Sequence, residues 1–167
     1  MIDAAVAREA SEDETGAERG RTILVDGFNV LHALLSNDER RDGWWKRAER
    51  ERLLERATSW PERADQVWVA FDGSDPSWSV WTEPVARPVS PADGERLPVH
   101  SVFVESADDW IVRRARRAAD PERVVVVTRD RQVAGRARSA GCEVQPPWTF
   151  LARCGAGDPD SVRLARD

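Results

Sequence analysis

The chain is 167 residues long, 33% charged, with a mean hydropathy of −0.57 and a net charge of −5, which is enough length for one domain with a real core and no covalent staples. No run approaches the roughly 20 apolar residues of a membrane span, and the polar, acidic residues 1–20 lack the basic-then-apolar order of a secretory signal, so cytoplasmic residence is the expectation. Cys142 and Cys154 lie in no CxxC or Cys/His cluster, which argues against a disulfide frame or a zinc site and for two reduced, partly buried thiols.

Residues 1–20 carry six acids against two arginines and have little to bury, the composition of a disordered acidic tail. The folded domain is expected over residues 21–154. Residues 22–25 form a short, wholly apolar, β-rich run, as in a central parallel strand covered on both faces. Gly27 and Asn29 break it, and Val30, Leu31, Leu34 and Leu35 predict a helical turn or two. Residues 42–60 read as an amphipathic helix with Trp45, Ala48, Leu53, Leu54 and Ala57 turned inward, closed by Pro61.

Residues 66–71 are the second strand. The proline-rich stretch 73–98, with Trp78 and Trp81, reads as a long loop or irregular hairpin. Residues 100–104 are a third strand and 107–119 a helix with Ile111, Val112, Ala115 and Ala118 on its apolar side. Residues 123–127 are a fourth strand, 131–140 a helix stopped by Gly141, 142–144 a short fifth strand, and 148–154 a last helical turn before a loose tail over 155–167. Strands and helices alternating at this spacing predict a three-layer α/β domain around a mainly parallel five-stranded sheet.

Four acids follow four of the apolar runs: Asp26, Asp72, Asp108 and Asp130. In a parallel sheet they would meet at the carboxyl edge, where open α/β sheets place their sites. Two unit charges about 4 Å apart repel by roughly 4 kcal/mol at an effective dielectric of 20, and a divalent cation removes that cost. Each acid also has a plainer reading. Asp26 suits a turn, Asp72-Gly73 is a common turn pair, and Asp130 suits the N-cap of the helix at Arg131. Ser106 and Asp109 fit an S-x-x-D capping box, with Asp109 also able to pair with Arg113. Asp108 instead shares the face of Ile111, Val112 and Ala115, so it points inward and needs a partner.

Charge is unevenly spread. Residues 113–138 contain nine arginines against three acids, a basic stretch that suits a phosphodiester chain. Solvated helices in an arginine-rich chain, whose one lysine is Lys46, are the alternative reading.

The Asp26-Gly27-Phe28-Asn29-Val30 opening, the Val69-Ala70-Phe71-Asp72-Gly73 strand end, Glu105-Ser106-Ala107-Asp108-Asp109 and Val126-Val127-Thr128-Arg129-Asp130 together resemble the NYN domain, specifically its YacP-like branch within the PIN-like nucleases. The resemblance covers residues 21–154. It implies a PIN-like three-layer sandwich with strand order 3-2-1-4-5 and a metal-dependent ribonuclease site. Asp26, Asp108 and Asp130 match the acids expected to bind Mg²⁺ or Mn²⁺, Asp72 matches a further acid of that cluster, and Asn29 matches the asparagine expected to orient Asp26 or a phosphate oxygen. Phe28 replaces the usual tyrosine, and Arg129 stands where a small serine is common.

The expected reaction is hydrolysis of an RNA phosphodiester by activated water, in an all-oxygen site that suits magnesium or manganese rather than zinc. Arg129, Arg131, Arg113, Arg114 and Arg117 are the candidate backbone contacts, and Trp78, Trp81 or Trp110 the candidate stacking residues. The rivals are a non-catalytic RNA or ribonucleoprotein binding module and a phosphomonoester hydrolase. A dinucleotide-binding domain is disfavoured because no GxGxxG follows the first strand. RNA is the expected partner and a membrane is not. The ribosome, a protein inhibitor and a homodimer are left open.

Overall fold

The computed structural model describes residues 20–35, 47–62, 64–73, 87–89 and 99–155. The expected tails over 1–20 and 155–167 lie outside these residues but for Gly20 and Gly155, as do Trp45, Trp78, Trp81 and most of the 73–98 stretch. Within the described chain run β1 (Thr22–Asp26), α1 (Gly27–Leu35), α2 (Arg47–Ala57), β2 (Gln66–Asp72), β3 (Arg87–Val89), β4 (Val99–Val104), α3 (Ala107–Arg117), β5 (Val124–Val127), α4 (Arg131–Ser139), β6 (Glu143–Gln145) and α5 (Pro147–Cys154).

The sheet order is β3-β4-β2-β1-β5-β6. The five expected strands are mutually parallel, in the expected order, with β1 at the centre. One strand was not foreseen: β3 pairs antiparallel with β4 at the outer edge. Its short Arg-Pro-Val sequence carries no alternation, and its proline is tolerated because an edge strand needs fewer ladder donors. Some element limits also shift. α2 ends at Ala57, before Trp60, and Ala48 is exposed rather than inward. The last strand begins at Glu143, one residue after the buried Cys142.

Strand alternation sorts the core into two layers. Ile23, Val25, Val67, Val69, Phe71, Val125 and Val127 pack with α1, α2 and α5, while Leu24, Ala70, Val102, Val104, Val124 and Val126 pack with α3 and α4. Both cysteines are free and buried. Among the described residues no helix is long and apolar enough to cross a membrane.

At the amino-terminal edge, Asp65 is a buried anchor that sequence reasoning passed over. Its carboxylate accepts the backbone N–H of Arg21 at 2.6 Å and the Trp60 indole N–H at 3.0 Å, with the Arg21 guanidinium 3.8 Å away. The acid just before β2 thereby ties α2's exit to the start of β1. Nothing in the local sequence signals it, because its partners lie on other elements.

Candidate active site

The period of two decides which face each acid takes. Asp26 shares the parity of Leu24, and Asp72 that of Ala70, so both leave the sheet on the α3/α4 side. Asp26 is level with Ala70 of β2 and lies one residue beyond the Val25–Val127 pair. Gly27 permits this sharp exit. A Cβ there would clash with the edge of the Phe71 ring and stand 2.9 Å from the Ala70 carbonyl oxygen, so only glycine lets α1 start directly on the sheet. Phe28 packs edge-on against Phe71, with centroids 5.4 Å apart, so its ring does packing work without the hydroxyl of a tyrosine.

Asp26 is only 5% exposed. Its Oδ1 accepts the Asn29 backbone N–H at 3.2 Å, and its carboxyl hydrogen-bonds to that of Asp108. Burial, followed by the negative charges of Asp108 and Asp72, pushes Asp26 up to about 7, against the lowering effect of the Asn29 N–H. Asp108 is raised as well, first by burial and then by the charge of Asp130, while its bond with Asp26 works in the opposite direction. Both carboxyls are therefore held above the usual carboxylate range, Asp26 chiefly by its burial. The inward direction read for Asp108 from helix periodicity holds.

The other two acids have structural duties. Asp72 Oδ1 accepts the Ala107 N–H at 2.8 Å, fastening the first residue of α3 to the tip of β2. Asp130 caps α4, its Oδ1 accepting from Gln132 N at 2.7 Å and Val133 N at 3.1 Å. Both capping bonds fall on Oδ1. The Ser106 cap is also present, with its Oγ accepting the Asp109 N–H at 3.2 Å, but Asp109 approaches Arg136 of α4, 4.0 Å away, instead of Arg113. A pairing across helices replaced the one expected within a helix.

Asn29 orients Asp26 through its backbone, and its side chain does something else. The amide oxygen accepts the backbone N–H of Arg129 at 2.6 Å, pinning the β5–α4 loop against the start of α1. Thr128, buried beneath that loop, accepts the Asp130 N–H on Oγ1 at 3.1 Å, and its own N–H donates to the Gln145 carbonyl at 3.1 Å. Arg129 and Arg131 are exposed beside Asp130.

The remaining arginines lie farther away. Arg113, Arg114 and Arg117 follow Asp108 along α3, which runs away from the edge at about 1.5 Å per residue. The Arg114 guanidinium stacks on Trp68 at 4.2 Å and on Trp110 at 4.9 Å, so Trp110 is engaged in a ring and cation cluster with Trp68 and His100.

The donor chemistry at the edge, carboxylate oxygen throughout, suits Mg²⁺ or Mn²⁺, and the negative charges bearing on Asp26 are those a cation would offset. Among the described residues, however, no three His, Cys, Asp or Glu side chains stand in an arrangement that could hold a metal ion. Asp26 and Asp108 meet directly. Asp130 influences Asp108 through its charge while capping α4.

Fold and site thus define a three-layer α/β domain with an acidic carboxyl edge. The profile of the YacP-like NYN domain matches residues 23–156. The chain belongs to that family, within the PIN-like nuclease superfamily. A crystal structure of Rae1 (YacP) from Bacillus subtilis, in a single-site mutant form, superposes with a TM-score of 0.58 at 18% identity, over 81% of this chain and 76% of that one. At that identity the likeness speaks for the fold. No curated protein sequence matches the chain.

Proposed function

We propose that the protein is a metal-dependent ribonuclease that hydrolyses RNA phosphodiester bonds at the carboxyl edge of its sheet. The observation that carries the reading is the Asp26–Asp108 pair, a buried carboxyl and a half-buried one from different elements sharing one hydrogen bond. Such a pair is costly as two bare charges and well suited to a divalent cation. Asp26 and Asp108 would hold Mg²⁺ or Mn²⁺, with Asp130 contributing its second oxygen. The ion supplies Lewis-acid polarisation of the scissile phosphate and activation of water.

The chain's own residues do the rest. The Asn29 N–H aims Asp26, and Asp72 holds the start of α3 so that Asp108 stays opposite it. Asn29's side chain fixes the loop that carries Asp130. Arg129 and Arg131 meet the RNA backbone beside the site, and Arg113 and Arg117 extend the basic track along α3. Two buried free thiols suit a reducing, cytoplasmic setting.

A non-catalytic RNA-binding module is the second reading, favoured by the engagement of Asp72 and Asp130 in helix caps. The test is an end-labelled, largely single-stranded RNA incubated in Mn²⁺, Mg²⁺ or EDTA, alongside Asp26→Asn and Asp108→Asn proteins shown to be folded. Metal-dependent cleavage lost in both variants supports the nuclease. No cleavage across varied RNAs, with undiminished binding in EDTA, supports the binding module.

A further inference from the structure

Trp148 is the large hydrophobic side chain left exposed among the described residues, with 60% of its surface in water. It sits in the first turn of α5 between the buried Pro147 and the buried Phe150 and Leu151, and it stacks on no other ring among the described residues. A side chain of this size gains free energy when it is covered, so a solvated indole is poised for a partner.

Its place in the fold says which partner. α5 begins two residues after Gln145, the residue of β6 whose carbonyl accepts the Thr128 N–H. Arg129 follows Thr128 directly. Continuing the alternation of β5, Arg129 leaves on the α1/α5 side of the sheet, and its backbone N–H is held there by Asn29 at the start of α1. Trp148 and Arg129 therefore flank one hydrogen-bonded strand pair at the carboxyl edge. One strand, β5, separates β6 from β1, so the two lie about 10 Å apart at the usual strand spacing. Neither Arg129 nor Arg131 forms an ion pair with a carboxylate among the described residues. An aromatic platform beside unpaired guanidinium groups is the arrangement that grips single-stranded nucleic acid, with bases on the ring and phosphates on the cations.

We infer that Trp148 is a base-stacking platform for a nucleotide of the strand held along the carboxyl edge, and that it selects single-stranded over duplex RNA. This deepens the ribonuclease reading and rests on it. A base paired within a helix cannot present its face to the ring, so the selection follows from the geometry of stacking.

The test measures binding of a fluorescein-labelled oligouridylate and of a blunt RNA duplex by anisotropy in EDTA, using the full chain and its Trp148→Ala and Trp148→Phe variants. Cleavage in Mn²⁺ is followed in parallel. Trp148→Ala is expected to weaken single-strand binding about tenfold or more, to leave duplex binding and the salt dependence of binding unchanged, and to be largely rescued by Trp148→Phe. Equal single-strand affinity in wild type and Trp148→Ala, while the wild type still cleaves, overturns the platform and leaves the nuclease standing. Equal losses on single strand and duplex also overturn it. So does a Trp148→Ala protein that binds normally but sediments as a smaller species, because the indole would then serve contact between copies. A wild type that neither binds nor cleaves RNA overturns both readings.

Discussion

The amide oxygen of Asn29 accepts the backbone N–H of Arg129 at 2.6 Å, across 100 residues of sequence. Through this bond the residue that aims Asp26 by its own N–H also holds the loop bearing Asp130. The two halves of the acidic edge share one positioning residue. Asn29→Ala should cost about 1 kcal/mol of stability, the worth of one hydrogen bond. It should lower kcat by about tenfold to a hundredfold with little change in KM, because it loosens geometry without removing a substrate contact. Steady-state cleavage kinetics, paired with urea melts, check both figures. A raised KM with kcat unchanged would assign Asn29 to substrate binding.

Asp26 gives the protein a pH dependence whose sign follows from its shift. Its folded-state value of about 7 lies above the ordinary 3.8, so the folded chain holds a proton that the unfolded chain has released. The contribution of this group is greatest below about pH 4 and falls as the pH rises towards 7. In EDTA, Asp26→Asn should therefore raise Tm at about pH 8, on the order of 5 °C, and change it little at about pH 4. Calorimetry at the two pH values settles the matter. A lower Tm for the variant at the higher pH would contradict the assigned proton.

Cation binding should compete with that same proton. Mn²⁺ should raise the Tm of the wild type more at about pH 8 than at about pH 5.5 and should release protons on binding. Titration calorimetry in two buffers of different ionisation enthalpy reads the release directly. Asp108→Asn should abolish both effects.

Gly27→Ala tests the close approach of α1 to β2. The added methyl collides with the Phe71 ring and stands 2.9 Å from the Ala70 carbonyl oxygen. The expected cost is about 2 to 3 kcal/mol, as for overpacking in a filled core, read as a lowered urea midpoint. RNA cleavage should also fall, since the displaced residue is next to Asp26.

Asp65→Ala provides a contrast at the opposite edge. It leaves the Trp60 indole N–H and the Arg21 N–H without their acceptor and should cost about 2 to 4 kcal/mol. Below the melting range, cleavage per folded molecule should be unchanged.

Much of this architecture was legible before any coordinates. The apolar runs 23–25, 67–71 and 124–127 are covered on both faces, and a strand buried that way cannot be written in polar residues. Helix periodicity aimed Asp108 inward, and the Ser106 cap and the Gly141 stop, at φ +91°, are local chemistry confined to a few neighbouring residues. β3 escaped notice because a three-residue edge strand takes its order from its partner β4. Asp109 pairing with Arg136 escaped for a similar reason, since the distance between α3 and α4 is set by packing and not by spacing along one helix.

At the site the same division holds. By itself the sequence determined that four acids follow four buried runs and that an asparagine opens the first helix, because residue type and strand period are properties of the chain. Only the tertiary structure decided that Asp26 and Asp108 share a hydrogen bond, that Asp72 and Asp130 also hold helix ends, that Arg114 lies on two indole rings, and that Trp148 stands open in the first turn of α5. Those outcomes depend on which elements become neighbours. Burial and distance, which set the pKa of an acid and the partner of a cation, exist only once the sheet has brought its carboxyl ends together.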